Sequence, residues 1–196
     1  MKIKFLLFLC IACAFLPSLY AYSLTLTALS AGWDTVGYPG GSAQLWVDGV
    51  DYSQHRRGMN LIVIDQTTGI VLNSVYYDTY ASSTDANNMA TFINSIDNGR
   101  IVMVAVQDEA VSNMTSAGIN ALYTLGAGSF NPGYRGSWAL IGIKGAAQGT
   151  QLQATVGRYG SAAVLTTSRE FVPEPSSWLI SILGFGLFFL YRRGNR

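Results

Sequence analysis

Cysteine is nearly absent. The chain has 196 residues and two cysteines. Both, Cys10 and Cys13, fall in the apolar N-terminal run, so the body has no disulfide and must be held by its core alone. Histidine is as scarce. His55 is the single one, which excludes any metal cluster with His or Cys spacing and leaves one base for a Ser-His-Asp relay. No G-x-S-x-G turn occurs to carry the nucleophile of such a relay. Basic charge is also lacking where it would matter. Between Tyr22 and Val172 lie seven basic residues (Arg56, Arg57, Arg100, Arg135, Lys144, Arg158 and Arg169) against ten acidic ones, a net charge of −3. A body without a basic patch is not built for nucleic acid. Internal repeats are absent too.

Long apolar runs occur only at the two ends. Met1-Lys2-Ile3-Lys4 precedes an apolar run from Phe5 to Leu16, then Pro17-Ser18-Leu19-Tyr20-Ala21. A positive start, a short apolar stretch and a small residue read as a secretory signal peptide over 1–21. At the other end, Trp178 to Tyr191 is apolar. As a helix those residues would cover about 21 Å, a minimal membrane segment beside a hydrocarbon core of roughly 30 Å. Arg192 and Arg193 follow at once and would stay on the cytoplasmic side. Between the ends lie about 150 residues, enough for one domain that buries roughly two-thirds of its unfolded surface.

Within that body the hydrophobic pattern changes period. Tyr22–Leu29 alternates and predicts a strand. Ala43–Val47 and Val50–Tyr52 flank Asp48-Gly49, a hairpin signal because a tight turn needs positive φ at both central residues. Asn60–Asp65 and Ile70–Tyr77 predict a second hairpin across Gln66–Gly69. Met89, Phe92, Ile93 and Ile96 then share one helical face, with a hydroxyl or Asp85 available to cap its start. Ile101–Val106 is a buried strand. A second helix is predicted to start near Ser112–Thr115 and to stop at Gly126. Ser137–Ile143, Leu152–Val156 and Ala162–Thr167 are further strands. Hairpins with two interposed helices predict an α+β domain with an antiparallel sheet.

Two stretches resemble known families. Val172-Pro173-Glu174-Pro175-Ser176, the apolar run and Arg192-Arg193 resemble, in that order, a PEP-CTERM sorting signal over 172–196. The resemblance implies an exosortase partner that removes the tail, after a transient stay in the inner membrane, and passes the protein to the surface of a Gram-negative bacterium that makes exopolysaccharide. Pro173 and Pro175 keep the segment extended and open to such an enzyme. A permanent C-terminal anchor is the alternative.

The body, from Asp48 to Gly145, carries in order VDG, RRGMNLIVIDQTTGIV, YYDTYAS, FINSIDNGRIVMVAVQDEA, INALYTLGA and GYRGSWALIGIKG. This series is similar to the interleukin-like EMT inducer and PANDER domain, also called the GG domain. It also resembles the stem domain of the enzyme that adds N-acetylglucosamine to O-linked mannose. The resemblance implies two packed, mainly antiparallel β-sheets with two short helices over 22–171, and a module that binds β-linked N-acetylglucosamine without catalysis of its own. Secreted animal members carry disulfides that this chain lacks, and the usual Phe-Asp-Thr is Tyr77-Asp78-Thr79 here.

Sugar binding needs planar donors and acceptors and an aromatic surface for the ring's apolar face. The family motifs mark Asp78, Arg100, Asp108, Arg135 and Trp138, and these are the candidate carbohydrate-binding residues. Salt bridges among the arginines and aspartates that only tie strand ends together are the structural alternative, and Trp138, inside an apolar strand, suits a core as well as a platform. Asp48 and Asp51 are close enough in sequence to meet a calcium ion, although hairpin aspartates also simply form turns. Asp78 with Asp108 is the one conceivable carboxylate pair for hydrolysis. The expectation is an exported, non-enzymatic module that binds exopolysaccharide or an envelope glycan, without cofactor. The rivals are a structural matrix component and a glycan hydrolase.

Overall fold

The computed structural model describes residues 21–171. The expected signal peptide, the sorting residues Pro173, Glu174, Pro175, Arg192 and Arg193, and the apolar run 178–191 lie outside them. Among the described residues no helix is long and apolar enough to cross a membrane.

The elements follow in the order β1 (Tyr22–Gly32), β2 (Ser42–Val47), β3 (Val50–Asp51), β4 (Gly58–Ile64), β5 (Val71–Tyr77), α1 (Ser83–Ser95), β6 (Ile101–Asp108), α2 (Ser116–Tyr123), β7 (Ser137–Ile143), β8 (Leu152–Val156) and β9 (Ala163–Phe171). Their causes are local. Asp48 and Gly49 both take positive φ, 50° and 82°, and so make the tight turn between β2 and β3. The Ser82 hydroxyl accepts the Asp85 N–H at 3.2 Å and caps α1. Thr115 does the same for α2 through the Gly118 N–H at 3.1 Å.

All nine strands belong to one hydrogen-bonded sheet. The expectation of two separate packed sheets is therefore corrected to a single mixed sheet with two arms. One arm runs β5-β4-β6-β7-β8, with every pairing antiparallel. The other holds β3, β2 and β1, with β9 also on β1. The arms join where the end of β1 runs parallel to the end of β6, through Ala31 with Gln107 and Gly32 with Asp108. Gly32 permits the junction, since a Cβ there would stand 2.0 Å from the Arg135 carbonyl oxygen. A buried polar seam closes it. The Ser30 hydroxyl donates to the Val106 carbonyl at 2.8 Å and accepts the Trp138 N–H at 2.9 Å. The Gly32 N–H donates to the Ser137 hydroxyl at 3.0 Å, which also meets Thr35.

The period-2 alternation of the central strands feeds two cores. Met59, Leu61, Val63, Val102, Val104, Val106 and Leu140 face the helices, where Met89, Ile93 and Leu122 cover them. Ile62, Ile64, Met103, Ala105 and Ile141 face the other arm and pack with Leu26, Leu45 and Phe171. Burial on both faces is why β4 and β6 read as continuous apolar runs. Each fully buried aliphatic side chain contributes about 1.5–3 kcal/mol.

The topology gives the domain two distinct ends. At one, β4 starts (Gly58 opposite Gln107), β5 and β6 finish and β1 meets β6. At the other, β4 turns into β5 and β6 begins (Ile64 opposite Ile101). The described chain enters and leaves at this second end. A Cβ on Gly69, in the β4–β5 turn, would lie 2.5 Å from the Leu24 side chain and 3.5 Å from that of Phe171.

Candidate functional site

Asp78, Asp108 and Arg135 come together at the first end. Arg57 grips Asp78 with two nitrogens, Nε at 3.1 Å from each carboxylate oxygen and Nη2 at 2.7 Å from Oδ2. The Ala81 N–H adds a bond at 3.1 Å. Burial raises the Asp78 carboxyl, but Arg57 and the backbone donors outweigh it and hold the group below its ordinary value. The Tyr80 ring centre lies 4.6 Å from the Arg57 guanidinium carbon.

Asp108 ends β6 with a φ of 63°, a left-handed conformation that costs a non-glycine residue roughly 1–3 kcal/mol. Its backbone carbonyl accepts the Trp33 N–H at 3.0 Å. Its carboxylate has no hydrogen-bond partner among the described residues. Burial raises this carboxyl above its usual range, against the attraction of Arg57 and Arg135 and with the repulsion of Glu109 and Asp78. A half-buried carboxylate that feels both guanidiniums, with its lone pairs unused among the described residues, can accept from a ligand's hydroxyl or amide N–H.

Arg135 also holds a positive φ, 57°. Its Nη1 donates to Asp34 Oδ2 at 3.3 Å, and Arg158 Nε donates to the same oxygen at 2.7 Å. The hydrogen bond from Arg158 is the main reason that the Asp34 carboxyl sits below its ordinary value. Trp33, Tyr134 and Tyr159 are exposed beside these arginines.

Two expected site residues lie elsewhere. Arg100 precedes β6 and Asp108 ends it, so a strand of eight residues, roughly 25 Å, separates them. Arg100 instead pairs with Asp65 and reaches Gln66 at 3.1 Å and Asp97 at 3.9 Å. Asp65 accepts the N–H groups of Thr67 at 2.9 Å and Thr68 at 2.8 Å, and its carboxyl is lowered to about 2, chiefly by Thr68. Trp138 is 0% exposed. Its Nε1 donates to the Ser129 carbonyl at 3.0 Å and its ring meets Phe130 edge-on at 5.2 Å. It is core, not a sugar platform, because both faces of β7 are covered.

Catalytic alternatives fare unevenly. Ser53, His55 and Asp51 touch in series, at 3.3 Å and 3.4 Å. The Ser53 hydroxyl, however, donates to the Ala43 carbonyl at 2.6 Å, so its proton is not offered to the imidazole. Asp51 accepts the Leu45 and Ser53 N–H groups at 3.1 and 2.9 Å and works as a turn former. Among the described residues no three His, Cys, Asp or Glu side chains gather as a metal site.

Residues 57–146 match the family model described as interleukin-like EMT inducer. The chain is 33% identical over 109 residues to the human cell migration-inducing and hyaluronan-binding protein, covering 55% of this chain and 8% of that one. It is 32% identical over 96 residues to the zebrafish (Danio rerio) cell surface hyaluronidase, covering 48% and 7%. To human protein FAM3D it is 33% identical over 89 residues, covering 45% and 39%. The chain thus spans under two-fifths of each of these proteins. Asp78, Asp108 and Arg135 fall within the matched segment, whereas Trp33, Asp34, Arg158 and Tyr159 fall outside it.

Proposed function

We propose that the domain is an exported, non-enzymatic carbohydrate-binding module with its sugar seat at the end of β6. The carboxylate of Asp108 carries the reading: it is strained into place, flanked by Arg57 and Arg135, and left without an internal hydrogen bond. Asp78 holds Arg57 in position and Arg135 supplies planar donors. The name of the human hyaluronan-binding relative points to the same ligand class. Export through residues 1–21, and sorting through 172–196 by an exosortase to the cell surface or matrix, belong to the same proposal. A glycan array followed by calorimetry tests it. Binding of at least one matrix or envelope glycan, lost in Asp108→Asn, is the expected result. Absence of binding to every glycan would leave a structural role in the matrix.

Hydrolysis has two observations in its favour. Asp78 is shifted down and Asp108 up, the separation that an acid and a base require, and one relative is named a hyaluronidase. Asp78 is nonetheless fully engaged by Arg57 and Ala81. A time course of reducing ends released from a labelled polysaccharide separates the readings. A flat trace is expected for a binding module.

A further inference from the structure

Five side chains from three separate stretches of chain stack into one alternating row: Trp33, Arg135, Tyr134, Arg158, Tyr159. The Arg135 guanidinium carbon lies 5.4 Å from the Trp33 ring centre and 5.1 Å from that of Tyr134. The Arg158 carbon lies 5.5 Å from Tyr134 and 4.5 Å from Tyr159. Asp34 stands behind the row and takes one hydrogen bond from each arginine on a single oxygen. The row is not a property of the matched domain alone, since Trp33, Asp34, Arg158 and Tyr159 lie outside residues 57–146.

The row does little for the core. Trp33 is 45% exposed, Tyr134 49% and Tyr159 65%, so about half of the surface of these residues stays in water. Two of its five members are also held in backbone conformations that glycine would adopt without strain, Arg135 at φ 57° and Tyr159 at φ 64°. Strain retained on an exposed surface points to function. Charge narrows the ligand. Asp34, Arg135 and Arg158 together carry a net charge of +1, with Asp108 acting on Arg135 from the side of the seat, so Arg158 is the cation farther from that second carboxylate, and each guanidinium keeps N–H donors without a partner among the described residues. Flat aromatic faces suit the C–H face of a pyranose, and guanidiniums suit a carboxylate.

We propose that this row is a second carbohydrate subsite that selects an acidic, uronate-bearing polysaccharide, continuing from the sugar seat through Arg135. It rests on the reading of the Asp108 end as a carbohydrate seat. Successive sugars would stack on Trp33, Tyr134 and Tyr159 while their carboxylates meet Arg135 and Arg158. A neutral glycan would engage the seat and the rings but gain nothing from the guanidiniums' charge.

The test uses the full chain in mild detergent and calorimetry with three probes: hexasaccharides of hyaluronan and of polygalacturonate, and the neutral N-acetylglucosamine hexamer. The wild type is expected to bind at least one acidic hexamer about tenfold or more tightly than the neutral one, a preference that shrinks as salt rises. Arg158→Gln should lose that preference and keep the neutral affinity within about twofold, Tyr159→Gly should weaken acidic and neutral hexamers alike, and Arg158→Lys, which keeps charge without the planar fork, should fall between wild type and Arg158→Gln. The Tyr159→Gly single variant should melt no lower than wild type, because glycine relieves the positive φ, so lost binding cannot be ascribed to unfolding. Equal affinity for acidic and neutral hexamers, or an acidic preference that survives Arg158→Gln, would overturn the subsite and leave the seat at Asp108 standing. Wild-type binding to none of the three would remove both.

Discussion

The two ends of β6 carry the same chemistry and use it differently. At the start of the strand Arg100 pairs with Asp65, whose carboxylate also closes the β4–β5 turn through Thr67 and Thr68. Its acceptor capacity is spent on the fold, and its carboxyl is lowered to about 2. At the finish of the strand Arg57 pairs with Asp78, and a second carboxylate, Asp108, remains unbonded and shifted upward by burial. An arginine–aspartate pair is therefore not a signature of either stability or recognition. The distinction lies in whether acceptors remain after the backbone has been served.

That contrast can be broken at several points. The largest expected effect is on ligand binding at the finish of the strand. Asp108→Asn should weaken the glycan found by array screening by about 2 kcal/mol or more in calorimetry, the worth of a charged hydrogen bond. The same variant should not lower the melting temperature. The folded state holds a proton on Asp108 at pH values where the unfolded chain has released it, so this group's contribution falls as pH rises above 3.8, and asparagine removes that penalty. Asp65→Asn should do the opposite. A depressed carboxyl stabilises fully above about pH 4 and loses its contribution as pH falls through about 2, so the variant should lose about 1 kcal/mol at neutral pH after screening. Its melting curves should also flatten between pH 4 and 2. The smallest effect is expected from Arg100→Gln, which should leave glycan affinity within about twofold. A large loss there would mean that the two ends are not independent.

Much of the fold was legible in short-range chemistry. The Asp48-Gly49 turn, the Ser82 cap and the apolar runs of β4, β6 and β7 each follow from local rules that tertiary context did not override. The union of all strands in one sheet was not legible, because it depends on Gly32 and Gly41, whose missing side chains admit the backbones of Arg135 and Asp108. Arg100 could have been set apart from the site in the sequence, since eight residues of strand cannot place both of their flanks at one rim. Trp138 was ambiguous because a tryptophan in an apolar strand suits core and platform alike, and only the cover on both faces decides it. The stacked row could not be foreseen. Trp33 and Tyr159 are far apart in the chain, and the partners that give them meaning come from topology.

Leu24 and Phe171, where the described chain is entered and left, both sit by Gly69, at the end that Arg100 holds and Asp108 does not. The described domain consequently has one end where its chain enters and leaves and an opposite end that carries Asp108. Held directly at Ser23 or Phe171 on a bead, a sensor chip or a lattice, residues 23–171 would project the Asp108 edge outward and leave the row from Trp33 to Tyr159 uncovered. Orientation of residues 23–171 on such a support is thus built into the strand order.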